Sequence, residues 1–289
     1  MDNTARIEQN LETTLARATA TSCPPTLSKA IHHAVFPGGA RVRPTLTLAV
    51  ADACGCQSEA IADGAAVAIE LLHCASLVHD DLPCFDDADI RRGNPSVHLA
   101  YGQPLAVLAG DALIVEAFNA LTRASATHPD RLGRLVACVA SCVGMSGGIT
   151  AGQAWESEDE IDLEEYHHAK TGALFVGAVT AGAIAAGHDP APWRMLGSKI
   201  GAAYQIADDL LDAVGTSAEC GKPVAQDTAN DRPSAVQQLG VSGAVALLKE
   251  TVHSAARSVP DCDRVTELRT LIIGQAQRLV PEKLAHQAA

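Results

Sequence analysis

Aromatic residues are scarce in this chain of 289 residues, at 3% of the sequence, whereas hydrophobic residues of all kinds make up 47%. Alanine, leucine, valine and glycine are abundant, and no alternation of apolar and polar residues typical of strands is evident. This composition favours helices that pack through small residues over a β-sandwich. The length allows a large core in one big domain or two small ones. We therefore expect an all-α protein.

Signals for export and for a bilayer are also missing. The N-terminus has no basic start followed by an apolar core, which excludes a secretory signal. No uninterrupted apolar run has the length that a membrane span needs. The nine cysteines are odd in number, scattered and without a CxxC pair, which predicts reduced thiols. We expect a cytoplasmic protein with no integral membrane segment.

Acidic residues outnumber basic ones by 34 to 21, and the net charge is −13. Nucleic acid is therefore not an expected partner, because its phosphates call for a basic surface. An acidic protein still binds a polyanion when divalent metal ions bridge the two.

Helical patterns run through most of the chain. Apolar residues occur on every face of a helix drawn over 60–81, which is typical of a helix buried in a large helical protein. The ranges 104–124, 131–152, 163–187 and 192–215 have the same character. The breaks are short and rich in glycine and proline, and the longest lies at 221–234. With no fixed repeat and no linker, residues 1–289 are expected to form one domain.

A cluster of acids lies in "YQIADDLLDAV" (204–214). On a helix, Asp208 and Asp212 are one turn apart on one face, Asp209 is beside them, and Gln205 precedes them on that face. A solvated acidic edge explains such a motif about as well. However, the apolar flanks favour a partly buried place, where carboxylates repel one another unless a cation lies between them. Oxygen ligands at this density suit Mg²⁺.

Earlier in the chain, another acidic cluster, "DDLPCFDDADIRRG" (80–93), follows an apolar helix directly. Pro83 stops a regular helix, so the chain must bend to bring Asp86 back to Asp80 and Asp81. Arg91 and Arg92 follow, and guanidinium groups match phosphate oxygens in a bidentate manner. Either arginine alone is explained by charge balance beside the acids. Together, acids and arginines in one short segment favour a magnesium–diphosphate site.

These motifs resemble those of the trans-isoprenyl diphosphate synthases, the polyprenyl synthetase family. The two acidic motifs match at 80–93 and 208–212, and "AKTGALF" (169–175) and "FPGGARVRP" (36–44) match two further family segments. The resemblance covers nearly the whole chain in the expected order. It is strongest to geranylgeranyl diphosphate synthases of bacterial carotenoid and bacteriochlorophyll pathways.

The resemblance implies an all-α bundle around a deep central cavity, usually a homodimer. It implies a Mg²⁺-dependent prenyltransferase that joins isopentenyl diphosphate to dimethylallyl, geranyl or farnesyl diphosphate through ionisation, condensation and elimination. Three Mg²⁺ ions with bound diphosphate would be held by Asp80, Asp81, Asp86, Asp208, Asp209 and Asp212. The allylic diphosphate would contact Arg91, Lys170, Thr171, Gln205 and Lys222, and isopentenyl diphosphate would contact Arg43, His73 and Arg92. The catalytic set implied is Asp80, Asp81, Lys170, Thr171, Gln205 and Asp208.

The chain departs from the family pattern at a few positions. Ala40 stands where the family has a lysine that contacts isopentenyl diphosphate. In the loop after the second acidic motif, Gln226 and Arg232 stand where lysines are common. None of these changes affects a metal ligand.

Product length is expected to depend on the helix before Asp80. One helical turn is about 5.4 Å, comparable to one isoprene unit. Family members that stop at a C15 product typically carry an aromatic residue five positions before the motif, where this chain has Ala75. Ideal helical phase favours Ser76 as the residue that faces the cavity, and Ala75 alternatively packs against a neighbouring helix. The open space predicts a C20 product, geranylgeranyl diphosphate.

Other functions remain to be weighed. A farnesyl diphosphate synthase differs only in product length. A terpene cyclase mixes Asn, Ser and Glu in its second metal motif, where this chain has "DDLLD". A regulatory subunit of a heteromeric synthase tends to lose acidic motifs, and a helical scaffold has no reason to place six acids in this way. His73 is alternatively a core histidine with satisfied hydrogen bonds.

Overall fold

Helices dominate the computed structural model, which describes residues 3–20, 22–36, 38–214 and 234–277. The α-helices in these ranges are α1 (Asn3–Ala18), α2 (Pro25–Val35), α3 (Val42–Ala53), α4 (Glu59–Asp80), α5 (Val97–Tyr101), α6 (Gln103–Ala124), α7 (Pro129–Val143), α8 (Ile149–Ala154), α9 (Leu163–His167), α10 (Ala173–Ala185), α11 (Arg194–Val214), α12 (Ala235–Arg257) and α13 (Val265–Gln277). Two 3₁₀ turns (Trp155–Ser157, Ala191–Trp193), a π-helical turn (His168–Gly172) and a hairpin of strands β1 (Ile90–Arg91) and β2 (Asn94–Pro95) complete them. The expected all-α class is confirmed.

Helices α4 and α10 form the centre of the bundle. Every residue of α10 is buried, and α10 packs against α3, α4, α7 and α11. Helix α4 packs against α3, α6 and α10, which explains its apolar residues on several faces. The one hydroxyl of α10, on Thr180, donates to the carbonyl oxygen of Val176 and leaves no polar group unpaired there. The core therefore consists mainly of small and aliphatic side chains, as the composition predicts, with Phe175 and Trp193 as aromatic members.

Two glycines of α10 let neighbouring helices approach closely. A Cβ atom on Gly182 would lie 2.5 Å from the carbonyl oxygen of Thr47 in α3. A Cβ atom on Gly177 would lie 2.8 Å from Sγ of Cys142 in α7. Because a side chain cannot fit at either contact, glycine is required for the observed distance between these helices.

The predicted helix over 131–152 is wrong in its middle. Helix α7 ends at Val143 and α8 begins at Ile149, with a turn between them. In that turn Gly147 has a φ of +78°, and a Cβ on Gly148 would lie 2.7 Å from the backbone of Gly144. Backbone freedom of glycine thus outweighed the helical pattern around it.

Two helices, α4 and α6, are long and apolar enough to cross a membrane by length and composition alone. Neither helix is one uninterrupted apolar run, because the charged residues Glu70 in α4 and Asp111 in α6 divide them. In α4, 78% of the most apolar stretch is buried inside the protein, which accounts for its composition as a core helix. In α6 the share is 39%, so part of its apolar surface is exposed.

Substitution of Gly182 tests the close contact between α3 and α10. We expect Gly182→Ala to lower the free energy of unfolding by about 1–3 kcal/mol, because the new methyl group would overlap the backbone of α3. Gly133→Ala is the matched control: Gly133 is exposed on α7 with no atom near an added Cβ, and we expect a gain of up to about 1 kcal/mol. Urea unfolding followed by circular dichroism measures both. Equal stability of the two variants would contradict the predicted overlap.

Candidate active site

A single cavity of about 1310 Å³ opens between the central helices and contains most of the predicted site residues. Its walls come from α3, α4, α6, α8, α11, the π turn and the hairpin. The predicted residues that line it are Arg43, His73, Ala75, Ser76, Asp80, Arg91, Arg92, Lys170, Thr171, Gln205 and Asp208. Among the described residues, Asp81, Asp86, Asp209 and Asp212 are predicted ligands that do not line it. Lys222 lies outside the described residues.

The first acidic motif bends as Pro83 predicts. Helix α4 ends at Asp80, and the amide of Asp86 donates a hydrogen bond to the carbonyl oxygen of Asp80 at 3.0 Å. The chain therefore returns Asp86 to the end of the helix, although it lies six residues further on. The sequence argument that the chain must loop here is confirmed.

The carboxylate of Asp81 binds Arg91, and Asp81 does not line the cavity. Its side chain is buried, and one carboxylate oxygen accepts from Nε and Nη2 of Arg91 at 2.8 and 2.5 Å. Nη2 of Arg91 is also 4.0 Å from the carboxylate of Asp80. The two neighbouring aspartates thus differ, since Asp81 fixes the arginine and Asp80 faces the open space.

The hairpin explains why two arginines and a glycine follow the acids. Ile90 pairs with Pro95 and Arg91 with Asn94, so Arg92 and Gly93 form the two-residue loop. Both have positive φ, +53° and +77°, as such a loop requires. The side chain of Arg92 crosses Gly39, where a Cβ atom would lie 2.9 Å from Nε. Close approach of the Gly39 backbone to Arg92 accounts for one glycine of "PGGAR".

One oxygen of the Asp80 carboxylate lacks a hydrogen bond to any described residue. Its Oδ1 atom is buried without a donor, and the Nζ atom of Lys170 is 3.5 Å away. Burial raises the pKa of Asp80 to about 6; Lys170 and Arg91 oppose the rise, and Asp86 adds to it. A carboxylate in this place is stabilised by an added cation, and hard oxygen donors fit Mg²⁺. Within the described ranges, no three acidic, His or Cys side chains already converge as a preformed ion site.

The second acidic motif likewise contains one aspartate that faces the cavity and one that is buried behind it. Asp208 lines the cavity, whereas Asp209 is buried behind it. The carboxylate of Asp209 accepts from Nε2 of Gln205 at 3.0 Å and from the amide of Ala235 at 2.8 Å. Oε1 of Gln205 in turn accepts from the hydroxyl of Thr171 at 2.9 Å. Asp209 therefore orients a polar chain that reaches the cavity and binds the first turn of α12.

Lys170 and Thr171 both reach the cavity because the helix widens into a π turn at His168–Gly172. Burial disfavours the ammonium of Lys170, but the nearby carboxylate of Asp80 and the contact with Glu156 raise its pKa above the usual value. Gly152 in α8 makes this geometry possible, since a Cβ atom there would collide with the backbone of Lys170. Lys170 is thus a charged group fixed at the cavity wall.

A basic pocket lines the same cavity around His73, about two turns before Asp80 on α4. Nη1 of Arg43 is 3.5 Å from Nε2 of His73, and its guanidinium lies 4.2 Å from the centre of the Phe175 ring. Nε of Arg43 is buried without a partner among the described residues. Burial, Arg43 and Arg92 lower the pKa of His73 well below 6.5, so its imidazole is neutral. Such a pocket is suited to an anion, and Ala40 also lines this cavity.

Three residues of α4 line the inner part of the cavity: Ser76, Ala75 and, two turns before the aspartate, Leu72. Leu71 is fully buried and does not reach it. The hydroxyl of Ser76 donates to the carbonyl oxygen of His73 at 2.8 Å and so adds no unpaired polar group to this wall. Apolar side chains from other elements face them, including Ile114, Val143 and Ile149. Both Ala75 and Ser76 border this space, although ideal phase favoured Ser76 alone.

Two acidic residues of this region were not predicted from the sequence, Glu70, which is buried, and Glu156, which is partly buried. Glu70 in α4 is 1% exposed and pairs with Arg41 at 2.5 Å and Arg92 at 3.7 Å. Its signal was visible as the one acid inside an apolar stretch. Glu156 pairs with Lys170 at 2.5 Å, but it begins an acidic run that is typical of a solvated segment. The one available signal for Glu156 was indirect, because a partly buried lysine such as Lys170 needs a carboxylate nearby.

Known proteins share both the sequence and the fold. A geranylgeranyl diphosphate synthase from Cereibacter sphaeroides is 51% identical over 280 residues, 97% of this chain and 97% of the relative. A farnesyl diphosphate synthase from Geobacillus stearothermophilus is 36% identical over 268 residues, 89% of this chain and 90% of the relative. A solved geranyltransferase from Helicobacter pylori, complexed with magnesium and isoprenyl diphosphate, matches with a TM-score of 0.78 and 27% identity, covering 96% of this chain and 98% of that chain.

The sequence profile of one family completes the comparison. The profile described as Polyprenyl synthetase matches residues 24–268, a range that begins before α2 and ends within α13. Both acidic motifs, the hairpin arginines and the π turn fall inside this range. The chain belongs to the polyprenyl synthetase family.

Proposed function

We propose that this protein is a Mg²⁺-dependent prenyltransferase that makes geranylgeranyl diphosphate from isopentenyl diphosphate and allylic diphosphates. One observation carries the proposal: Asp80, Asp208 and Lys170 face one cavity that has a basic pocket beside them and an apolar inner part. Diphosphates are anions with hydrocarbon tails, and this cavity offers cationic and apolar walls in that arrangement. The relatives named for prenyl diphosphate synthesis agree with it.

The two substrates occupy different walls. Asp80 and Asp208 would hold Mg²⁺, with Asp86 and Asp212 as further ligands, and bound Mg²⁺ would supply positive charge that stabilises the leaving diphosphate. Arg91, Lys170 and Lys222, the last of which lies outside the described residues, would bind the same diphosphate. The pocket of Arg43, His73 and Arg92 binds isopentenyl diphosphate, and neutral His73 donates or accepts one hydrogen bond there. Three ions with bound diphosphate remain the number implied by the family.

The chain's own groups then favour ionisation of the allylic substrate. The ammonium of Lys170 stabilises negative charge on the diphosphate as the allylic C–O bond breaks. A backbone carbonyl of the π turn and the side chain of Gln205, whose Oε1 accepts from the hydroxyl of Thr171, would stabilise the allylic cation by their dipoles. The double bond of isopentenyl diphosphate attacks this cation, and the released diphosphate takes the proton lost in the last step. The apolar inner cavity excludes water from the cation.

Product length follows from the wall of α4. Farnesyl diphosphate synthase is the alternative, and the small side chain of Ala75 favours the longer product. Beyond Ala75, the cavity continues to the level of Leu72. The identity of 51% to a geranylgeranyl diphosphate synthase against 36% to a farnesyl diphosphate synthase points in the same direction. A C20 product is therefore proposed.

The assembly is proposed as a homodimer of one-domain subunits that acts in the cytoplasm. A contiguous core joins residues from Ile7 in α1 to Ile272 in α13, which supports one domain. The exposed apolar surface of α5 and α6 supports pairing with a second copy; Leu99, Leu108 and Val115 are each at least half exposed. Every cysteine in the described ranges is a free thiol, in keeping with a reducing compartment.

Removal of metal and of Asp80 tests the diphosphate site. We expect EDTA to abolish turnover and excess Mg²⁺ to restore it. Asp80→Asn should lower kcat by about 100-fold or more, because the residue at the cavity wall loses its charge. The control Asp89→Asn removes an exposed acid from the same motif and should leave kcat unchanged. Steady-state assays with labelled isopentenyl diphosphate measure kcat for each variant. Near-normal turnover of Asp80→Asn would refute the assignment of Asp80 to the diphosphate site.

Substitution of Ala75 tests the product-length wall. We expect Ala75→Tyr to shift the main product from C20 to C15 with turnover largely kept, because the ring would block the inner cavity. Ala202→Tyr adds the same bulk at an exposed position of α11 and should leave the product at C20. Chromatography of the dephosphorylated products measures the outcome. A wild-type product of C15, or a C20 product from Ala75→Tyr, would show that the wall lies elsewhere.

Charge introduced on α6 tests the dimer. We expect Leu108→Arg to yield monomers, since a guanidinium in the middle of an apolar interface has no partner there. Met195→Arg places the same charge at another exposed apolar position, on α11, and should leave the dimer intact. Light scattering coupled to size exclusion gives the mass of each. A monomeric wild type, or a dimeric Leu108→Arg, would rule out this face as the interface.

A further inference from the structure

The ammonium of Lys170 is closer to Glu156 than to Asp80. Its Nζ atom lies 2.5 Å from Oε1 of Glu156 and 3.5 Å from Oδ1 of Asp80. The ring of Tyr166 lies beneath the same ammonium, with its centre 5.8 Å from Nζ. The main anchor of Lys170 in this structure is therefore a carboxylate outside both acidic motifs.

Glu156 is itself fixed by neutral donors. The hydroxyl of Tyr166 donates to Oε1 at 2.7 Å, and the amide of Gln153 donates to Oε2 at 2.9 Å. These donors come from α9 and α8, so two elements hold one carboxylate. The side chain is 17% exposed, which strengthens its hydrogen bonds relative to those on an open surface. A carboxylate held at both oxygens restricts the lysine that binds it.

Glu156 would not act by contacting the substrate. Lys170 and Gln153 line the cavity, whereas Glu156 and Tyr166 are not among the lining residues. An ammonium has three donor protons, so one bond to Glu156 leaves two for groups inside the cavity. Glu156 can thus direct Lys170 without competing with a diphosphate for all of its donors.

We infer that Glu156 is a positioning residue, which together with Tyr166 holds the Lys170 ammonium at the place where negative charge develops on the leaving diphosphate. This inference rests on the role proposed above for Lys170. A preorganised charge stabilises a transition state better than one that must move into place during the reaction. Loss of the anchor should therefore lower kcat and leave the binding of isopentenyl diphosphate, which uses the other wall, unchanged.

Substitution of Glu156 by glutamine removes the charge and keeps the shape. We expect Glu156→Gln to lower kcat by about 10- to 100-fold, the range for a hydrogen bond to a charged group, with the KM for isopentenyl diphosphate unchanged. Tyr166→Phe should lower kcat by about 2- to 10-fold, as expected for a hydrogen bond from a neutral donor. Glu156→Asp, which keeps the carboxylate, should lose less than Glu156→Gln. Glu160→Gln is the matched control: it removes an exposed acid from the same segment, and kcat should not change.

A double-mutant cycle separates positioning from a purely structural role. If Glu156 acts through Lys170, Glu156→Gln combined with Lys170→Ala should be no slower than Lys170→Ala alone. Additive losses would overturn the inference, as would normal kcat in Glu156→Gln or an equal loss in Glu160→Gln. Lowered melting temperature with a changed KM for both substrates would show a structural role and overturn it as well.

Failure of the inference can be told apart from failure of the proposed function. If Lys170→Ala is slow while Glu156→Gln and Tyr166→Phe are normal, the lysine acts without the anchor and only the inference falls. If Lys170→Ala is itself normal, the proposed role of Lys170 in ionisation falls, and the inference falls with it.

Discussion

A carboxylate removed from water needs positive charge nearby, and this requirement governs the arrangement around Asp80. Asp80 ends α4, and cations approach it from two sides, Lys170 from the π turn and Arg91 from the hairpin. Each cation is also bound by a carboxylate that does not line the cavity, Glu156 for the lysine and Asp81 for the arginine. The cations that line the cavity are thus held by carboxylates that do not line it.

Backbone contacts at glycine make these side-chain positions possible. Gly152 meets the backbone of Lys170, and a Cβ atom on Gly201 would lie 2.7 Å from the Cα of Gly172. At each place two segments approach more closely than any side chain would allow. The π turn is consequently packed between α8 and α11, which limits the movement of Lys170 at its base. Rigid support of this kind is what a preorganised site needs.

The cavity wall combines charged and hydrocarbon side chains. The basic pocket around Arg43 and the acids at Asp80 and Asp208 form part of it, and aliphatic or small side chains such as Leu72 and Ala75 form another part. Such a wall suits a substrate with an anionic head and an apolar tail, because each part meets the environment that costs least to enter. In the proposed reaction, the apolar part of the wall would also keep water away from the allylic cation.

Local sequence signals were enough to predict the helical class and the bend after Asp80, since helical periodicity and the effect of Pro83 are local properties. Most of the other residues that line the cavity were predicted through the resemblance to the family. The sequence did not reveal the turn between α7 and α8, because the glycines favour a turn there and the apolar pattern favours a helix. Nor did it distinguish Asp81 and Asp209, held by Arg91 and Gln205, from the aspartates that face the cavity. The pairing of Glu156 with Lys170 could not be predicted, because a solvated acid and an acid that pairs with a lysine look the same in the sequence. Only the packing of the folded chain shows which acid lies beside Lys170.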